Sequence, residues 1–299
     1  MVKRSAWKRA SRPALRRVCA LVVLLLAARL AGAQADYFAP EAVTAFAAHL
    51  FAQGDYLRAG YEYERYVLGR LLEGDSPASA HELAGRAFRC GGDFPRALEH
   101  FRRMRETAAD PAQRERAAAE IGLCHLHLGE AEASLREVRG ETGWEASASL
   151  RRIAAGDLIL LGHWEEARQA ASGPPTGAGE LAALARRGEG LRRKSPALAV
   201  GLSALIPGSG KMYAGETGDG LQSLLLIGAL AALAGTSFHA DGVGSWRGWL
   251  YASFGGLMYA GNLYGSAVSA RRWNRKQEEA LGEDLLALFP ACWDGTDAR

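Results

Sequence analysis

Four groupings in this sequence have side-chain types that could do chemistry, and each falls short in a definable way. Gly208-Ser209-Gly210-Lys211 offers the glycines and lysine of a phosphate-cradling loop. Such a loop also needs an earlier glycine, and a Ser or Thr after the lysine to hold the metal. Leu205 and Met212 occupy those places, so no nucleotide site is expected. Cys124-His125-Leu126-His127 carries metal-ligand types, but on a helix only Cys124 and His127 share a face. With no second ligand pair at metal spacing, a packed cysteine and surface histidines are expected. Ser, His and Asp occur without a nucleophile elbow or a His-Glu-x-x-His helix. Asp36, Asp55 and Asp93 suit turns and caps. The fourth group is a lone amide, Asn262, inside an uncharged stretch. Left unpaired in hydrocarbon it costs about 1–3 kcal/mol, so it is expected to bond another helix or the turn at Pro207. The reading is a non-enzyme with no catalytic residue, no cofactor and no metal.

The elements around these groups divide the chain. Residues 195–220 form a hinge, in which a Pro207-Gly208-x-Gly210 turn follows an apolar run of eleven residues. That run is too short to cross a bilayer, which takes roughly 20 residues. After the hinge, residues 221–238 and 249–270 carry no charge, and each is long enough to span. The polar link 239–247, with Gly242, Gly244 and Trp246, suits a membrane interface. Fifteen of the 36 glycines lie between Gly201 and Gly265. Gly261 and Gly265, four apart, are expected to admit a close helix, with Gly228 and Gly235 receiving it. The same glycines leave room for self-association.

Before the hinge, about residues 40–190 read as successive helices rich in Ala, Leu, Arg and Glu. Four fragments recur, beginning at Gly54, Gly92, Gly129 and Gly162, with spacings of 38, 37 and 33 residues. In each, glycine permits a left-handed helix end. Two residues on, Tyr56, Phe94 and Trp164 are placed to pack between helices, and Ala131 departs from the pattern. Five residues on, Ala59, Ala97, Ser134 and Ala167 allow close approach. Tyr63 and Phe101 lie nine residues past their glycines, where a second helix packs back. Period and pattern resemble the tetratricopeptide repeat, which implies stacked helical hairpins and a groove for a protein partner.

Residues 1–17 are basic, 18–30 mostly apolar, and Ala31-Gly32-Ala33-Gln34-Ala35 suits signal cleavage. Residues 1–35 hold eight Lys/Arg and no acid, so the formal charge is +3 with them and −5 without. An acidic remainder argues against nucleic acid as a partner. Basic residues 186–194 and 271–276 flank the apolar hairpin. The first group suggests contact with anionic headgroups. The second is of a kind that usually stays cytoplasmic, at odds with an exported chain. Past the signal stand Cys90, Cys124 and Cys292; Cys90 and Cys124 fall in first helices of adjacent repeats, where a bridge is conceivable.

The set Ser195-Pro196, Pro207-Gly208-x-Gly210-x-x-Tyr213-x-Gly215, Asp219-Gly220 and Gly261-Asn262-x-Tyr264-Gly265, with residues 272–274, resembles an uncharacterised bacterial envelope domain. In that group a PGxGxxYxG segment precedes an apolar hairpin ending in GNxYG, often after tetratricopeptide repeats. It is more distantly similar to the two-transmembrane-helix domain. The resemblance implies membrane location and carries no established activity.

The expectation is therefore an all-α chain of tetratricopeptide-like helical-hairpin repeats followed by a transmembrane helical hairpin. Its parts are a signal peptide (1–35), a repeat domain (36–190), a glycine-rich membrane hairpin (191–276) and a tail (277–299). The expected work is that of an inner-membrane adaptor whose repeats hold a protein in the periplasm, with the bilayer as second partner. An accessory to transport or protein insertion is the alternative.

Overall fold

Glycine punctuation dictates how the helices begin and end. In the computed structural model, which describes residues 39–75, 77–172 and 178–292, Gly54, Gly92, Gly129 and Gly162 each take φ between 74° and 80°. A side chain resists that left-handed conformation, so each glycine ends one helix and the next starts two residues later. The signal segment 1–35 and residues 293–299 lie outside the described residues. Among those described, the chain is all-α, with thirteen helices and no strand.

Two compact units divide at 107/108. The first holds α1 (Pro40–Ala52), α2 (Tyr56–Leu72), α3 (Ala78–Cys90) and α4 (Phe94–Thr107), each packed on the next. Its core is small residues against large ones. Ala47, Ala59, Ala80, Ala84 and Ala87 surround Leu50, Tyr63 and Val67. Gly60 meets the Phe88 ring and Gly85 the Phe101 ring so closely that an added Cβ would stand 2.9 and 2.7 Å away.

The second unit begins with α5 (Pro111–His127), whose Asp110 cap accepts the Gln113 N–H at 2.9 Å. It continues with α6 (Ala131–Gly140), α7 (Ala148–Leu160), α8 (Trp164–Ala171) and α9 (Ala178–Glu189). Four more helices follow: α10 (Pro196–Leu205), α11 (Ser209–Ala214), α12 (Thr217–Asp241) and α13 (Trp246–Ala287). Leu123, Leu126, Leu150, Ile153, Leu158 and Leu181 centre its core.

The last turns of α13 and Phe289 complete that core. Helix α13 runs unbroken for 42 residues, and Leu281 and Leu285 are buried with Phe289 among α7 and α9 residues. Phe289 fills the space that Gly156 leaves, 3.0 Å from where a Cβ would be. Arg152 donates to the Leu288 carbonyl at 2.7 Å, with its guanidinium 5.2 Å from the Phe289 ring centre. Within the stretch 277–299 expected as a tail, Leu281, Leu285 and Phe289 thus belong to the unit 2 core. These apolar residues recur every four positions, a helix face that finds its apolar receptor there.

One buried acid stands apart. Asp157 on α7 is fully buried, and neither carboxylate oxygen has a hydrogen-bond partner among the described residues. Burial pushes its pKa from 3.8 up to about 8; nearby Ser134 opposes this, yet donates its hydroxyl to the Gly122 carbonyl at 2.9 Å. Between those two values the folded chain holds a proton that the unfolded chain has released, so the fold weakens as pH rises through the window. Thermal unfolding should show unit 2 losing stability from about pH 5 to pH 8. Asp157→Asn should flatten that dependence.

Candidate functional site

The hinge folds as a tight zigzag in which backbones touch. Ser195 caps α10 by accepting the Leu198 N–H at 3.3 Å, and α10 ends before Pro207. Gly208 (φ 86°) and Gly215 (φ 96°) bracket α11 in the left-handed region. A Cβ on Gly208 would stand 1.9 Å from the Gly220 carbonyl oxygen, and one on Gly220 2.6 Å from the Gly208 oxygen. Gly210 presses equally hard on Ala199, at 1.9 Å from its carbonyl oxygen. No side chain fits at these crossings.

Hydrogen bonds then dock the turn on α13. The Gly210 N–H donates to Ser203 Oγ at 2.9 Å, which lies 2.7 Å from Ser266 Oγ. Ser266 donates to the Asn262 backbone carbonyl at 2.8 Å, and Tyr259 donates to the Ala204 carbonyl at 2.7 Å. The side chain of Asn262, by contrast, is 3% exposed, with neither amide atom bonded among the described residues. The expectation that its amide bonds the turn is corrected: main chain at 262, through two serines, makes the connection.

At the other edge, Asn274 clasps Lys194, accepting its N–H at 2.8 Å and donating to its carbonyl at 2.9 Å. The Lys194 ammonium lies 3.5 Å from the Trp273 ring centre and 5.8 Å from that of Tyr213. The Tyr213 hydroxyl accepts the Ser195 N–H at 3.2 Å. Trp273 packs on Gly215, where a Cβ would be 3.0 Å away. Glu216 accepts from Ser269 and from Arg272. Lys211 runs beside Gly265 and donates to Ser223 Oγ at 3.0 Å. Ser223 in turn donates to the Asp219 carbonyl, while the Asp219 side chain stays exposed in the first turn of α12, where the helix dipole favours an acid.

Helices α12 and α13 run antiparallel. Phe238 packs on Gly248 and meets Trp249 edge-on at 5.5 Å, and Leu230 lies beside Gly255. The glycines expected at this contact are elsewhere. A Cβ at Gly228, Gly235 or Gly261 would meet nothing within 4 Å, and Tyr264 is 74% exposed. Aromatic rings and Leu230 set the contact instead, a signal that a four-residue glycine spacing does not contain.

Apolar surface covers the outside. Exposed residues include Leu221, Leu225, Leu226 and Leu233 on α12, and Trp249, Leu250, Phe254 and Leu257 on α13. Among the described residues, α12 is the one helix long and apolar enough to cross a membrane. The expected second span lies within α13, whose glycines, serines and Asn262 dilute its apolar character below that mark.

In the four recurrent glycine fragments, Ala59, Ala97, Ser134 and Ala167 are all fully buried. Tyr56 packs edge-on to Phe51, Trp164 covers Gly188, and Phe94 opens α4. The third fragment is seated by the hydroxyl bond of Ser134 to Gly122, where Ala would have none. Cys124 is buried and is not disulfide-bonded, so it forms no bridge to Cys90. His81 and His100 meet at 3.2 Å between Nδ1 atoms beside a cleft of about 400 Å³. No group of three or more metal-ligand side chains is set for an ion among the described residues. The sequence matches no family model, and no curated protein is significantly similar to it.

These contacts separate the glycines by the sign of their response. Gly210→Ala should lower stability in micelles by roughly 1–3 kcal/mol or more through overpacking. Gly228→Ala, on an open helix face, should raise it by about 0.5–1 kcal/mol. Asn262→Leu should leave the turn docked and add about 1–3 kcal/mol by removing an unpaired amide. Thermal melts of the three variants check all of this.

Proposed function

We propose that this chain is an envelope adaptor, anchored in the inner membrane by the α12–α13 hairpin and holding a protein partner with its helical repeats. The observation that carries the reading is the exposure of α12, whose apolar window is only 11% buried. A core helix of equal composition would be covered; this one requires an apolar medium. Geometry supports a hairpin over a single pass. Lys194, just before α10, is clasped by Asn274 of α13, and the end of α13 lies in the core with α7 and α9. If α12 crosses, α13 must return. Helix α10, at ten residues and roughly 15 Å, is too short for a third crossing.

The leader-like start of the sequence supports placing the repeats in the periplasm, and Cys90 and Cys292, each disulfide-bonded, suit an oxidising compartment. The recurrent left-handed glycines with a buried small residue five positions on support tetratricopeptide-like hairpins. Such repeats bind peptides or helices along a stacked surface. Nothing in this reading calls for a cofactor or for nucleic acid. A second reading, an accessory to transport or protein insertion acting through the hairpin, draws support from the buried, unbonded Asn262 amide.

Topology reporters test the anchor. Fusions within the repeats and after Cys292 should report the periplasm, and one at Gly242 the cytoplasm; an exported Gly242 reporter overturns the arrangement. Photo-crosslinkers placed along α1–α9 of the full chain should capture one discrete protein partner. Capture confined to positions on α12 and α13 favours the accessory.

A further inference from the structure

We propose that the repeat-side mouth of the hairpin binds the phosphate groups of anionic phospholipids. This rests on the membrane reading above and adds to it a lipid class and a place.

The clasp between Asn274 and the Lys194 backbone lays residues 192–194 along the turn of α13 that carries 271–276. Seven cations meet there. Arg193, Arg272 and Arg275 are paired with Glu278, Glu216 and Glu279. Arg192, Lys194, Arg271 and Lys276 make no ion pair among the described residues, and Arg192, Arg271 and Lys276 are exposed. Lys194 is half-buried, its ammonium fixed over the Trp273 face with Tyr213 beyond. A cation held by a ring face keeps its N–H donors for an acceptor from outside.

The height of this cluster selects the occupant. Arg271 directly follows the uncharged stretch 249–270, with exposed Tyr264 two turns before it on the same helix and exposed Leu221 five residues past Glu216, the partner of Arg272. From Trp249 to Trp273 is 24 residues of one helix, roughly 36 Å at 1.5 Å per residue. That places the two aromatic levels near the two interfaces of a bilayer about 40–45 Å thick with its headgroups. A ligand here must carry negative charge at the cations and hydrocarbon beside Leu221 and Tyr264. An anionic phospholipid has both; an acidic peptide has only the first. The far end of the hairpin differs: Arg247 is the one Lys or Arg of residues 239–247, and Asp241 lies in the same link, so the preference belongs to the repeat-side leaflet alone.

The test uses the purified full chain, delipidated in neutral detergent, and native mass spectrometry with added phosphatidylglycerol or phosphatidylcholine. Phosphatidylglycerol should be retained preferentially. The triple variant Arg192→Gln, Arg271→Gln, Lys276→Gln spares Lys194 and every paired residue, so the fold should hold, as helix content by circular dichroism will report. Each cation near a headgroup is worth about fivefold in affinity, so retention should fall roughly tenfold or more in the triple variant, with phosphatidylcholine unchanged. Equal retention of the two lipids by the parent chain, or an undiminished preference in a folded triple variant, overturns the proposal. Carbonate-resistant integration into pure phosphatidylcholine vesicles reads the membrane anchor separately. A chain that fails to integrate removes the anchor and the lipid site together.

Discussion

Backbone contact between Gly208 and Gly220 is the constraint on which the C-terminal half depends. Two carbonyl-bearing strands of main chain cross there with no side chain between them. The crossing sets the first turn of α12 against the turn that follows α10, so one short segment turns the chain twice while Ser203 meets Ser266. Glycine at 215, also left-handed, then makes room for the Trp273 ring. Loosening any of these contacts would free the hairpin from the helix that joins it to the rest of the unit. Polar groups freed by the break in helix find partners locally in Ser203 and the Tyr259 hydroxyl, as buried backbone groups require.

Helix α13 carries that arrangement outward. Its first half packs antiparallel to α12, its middle holds the hinge, and its last turns sit in the apolar core with α7 and α9. One element therefore meets three environments, and its sequence changes accordingly. Residues 249–270 are uncharged, 271–276 carry four cations and 278–279 two acids, and Leu281 and Leu285 return to the apolar pattern of a core-facing helix. Continuity through the charged turn makes the α12–α13 pair and the core of α5 to α9 parts of one structure.

Much of this was legible in the sequence because local rules governed it. The left-handed helix ends at Gly54, Gly92, Gly129 and Gly162 follow from glycine's own conformational freedom, and the hinge glycines from the break at Pro207. What escaped were pairings set by three-dimensional register. Nothing near Gly261 says that this glycine faces outward while Gly265 receives the Lys211 stem. The Asn262 amide was read as a hydrogen-bonding hook, whereas the serines at 203 and 266, inconspicuous among apolar residues, make the link. The docking of Phe289 on Gly156 joins positions 133 apart, which no local pattern encodes.

The placement of Phe289 also fixes an order of events during synthesis. Domains emerging from a ribosome ordinarily fold from the amino end as they appear. Here the core built by α5 to α9 keeps an unfilled socket, lined by Gly156 and Leu126, until α13 and Phe289 have been translated. Helix α12 and the first half of α13 are made in the interval, so their placement precedes closure of that core. A chain whose hairpin went astray would hold that socket open, marked by exposed apolar surface for chaperones and proteases to find.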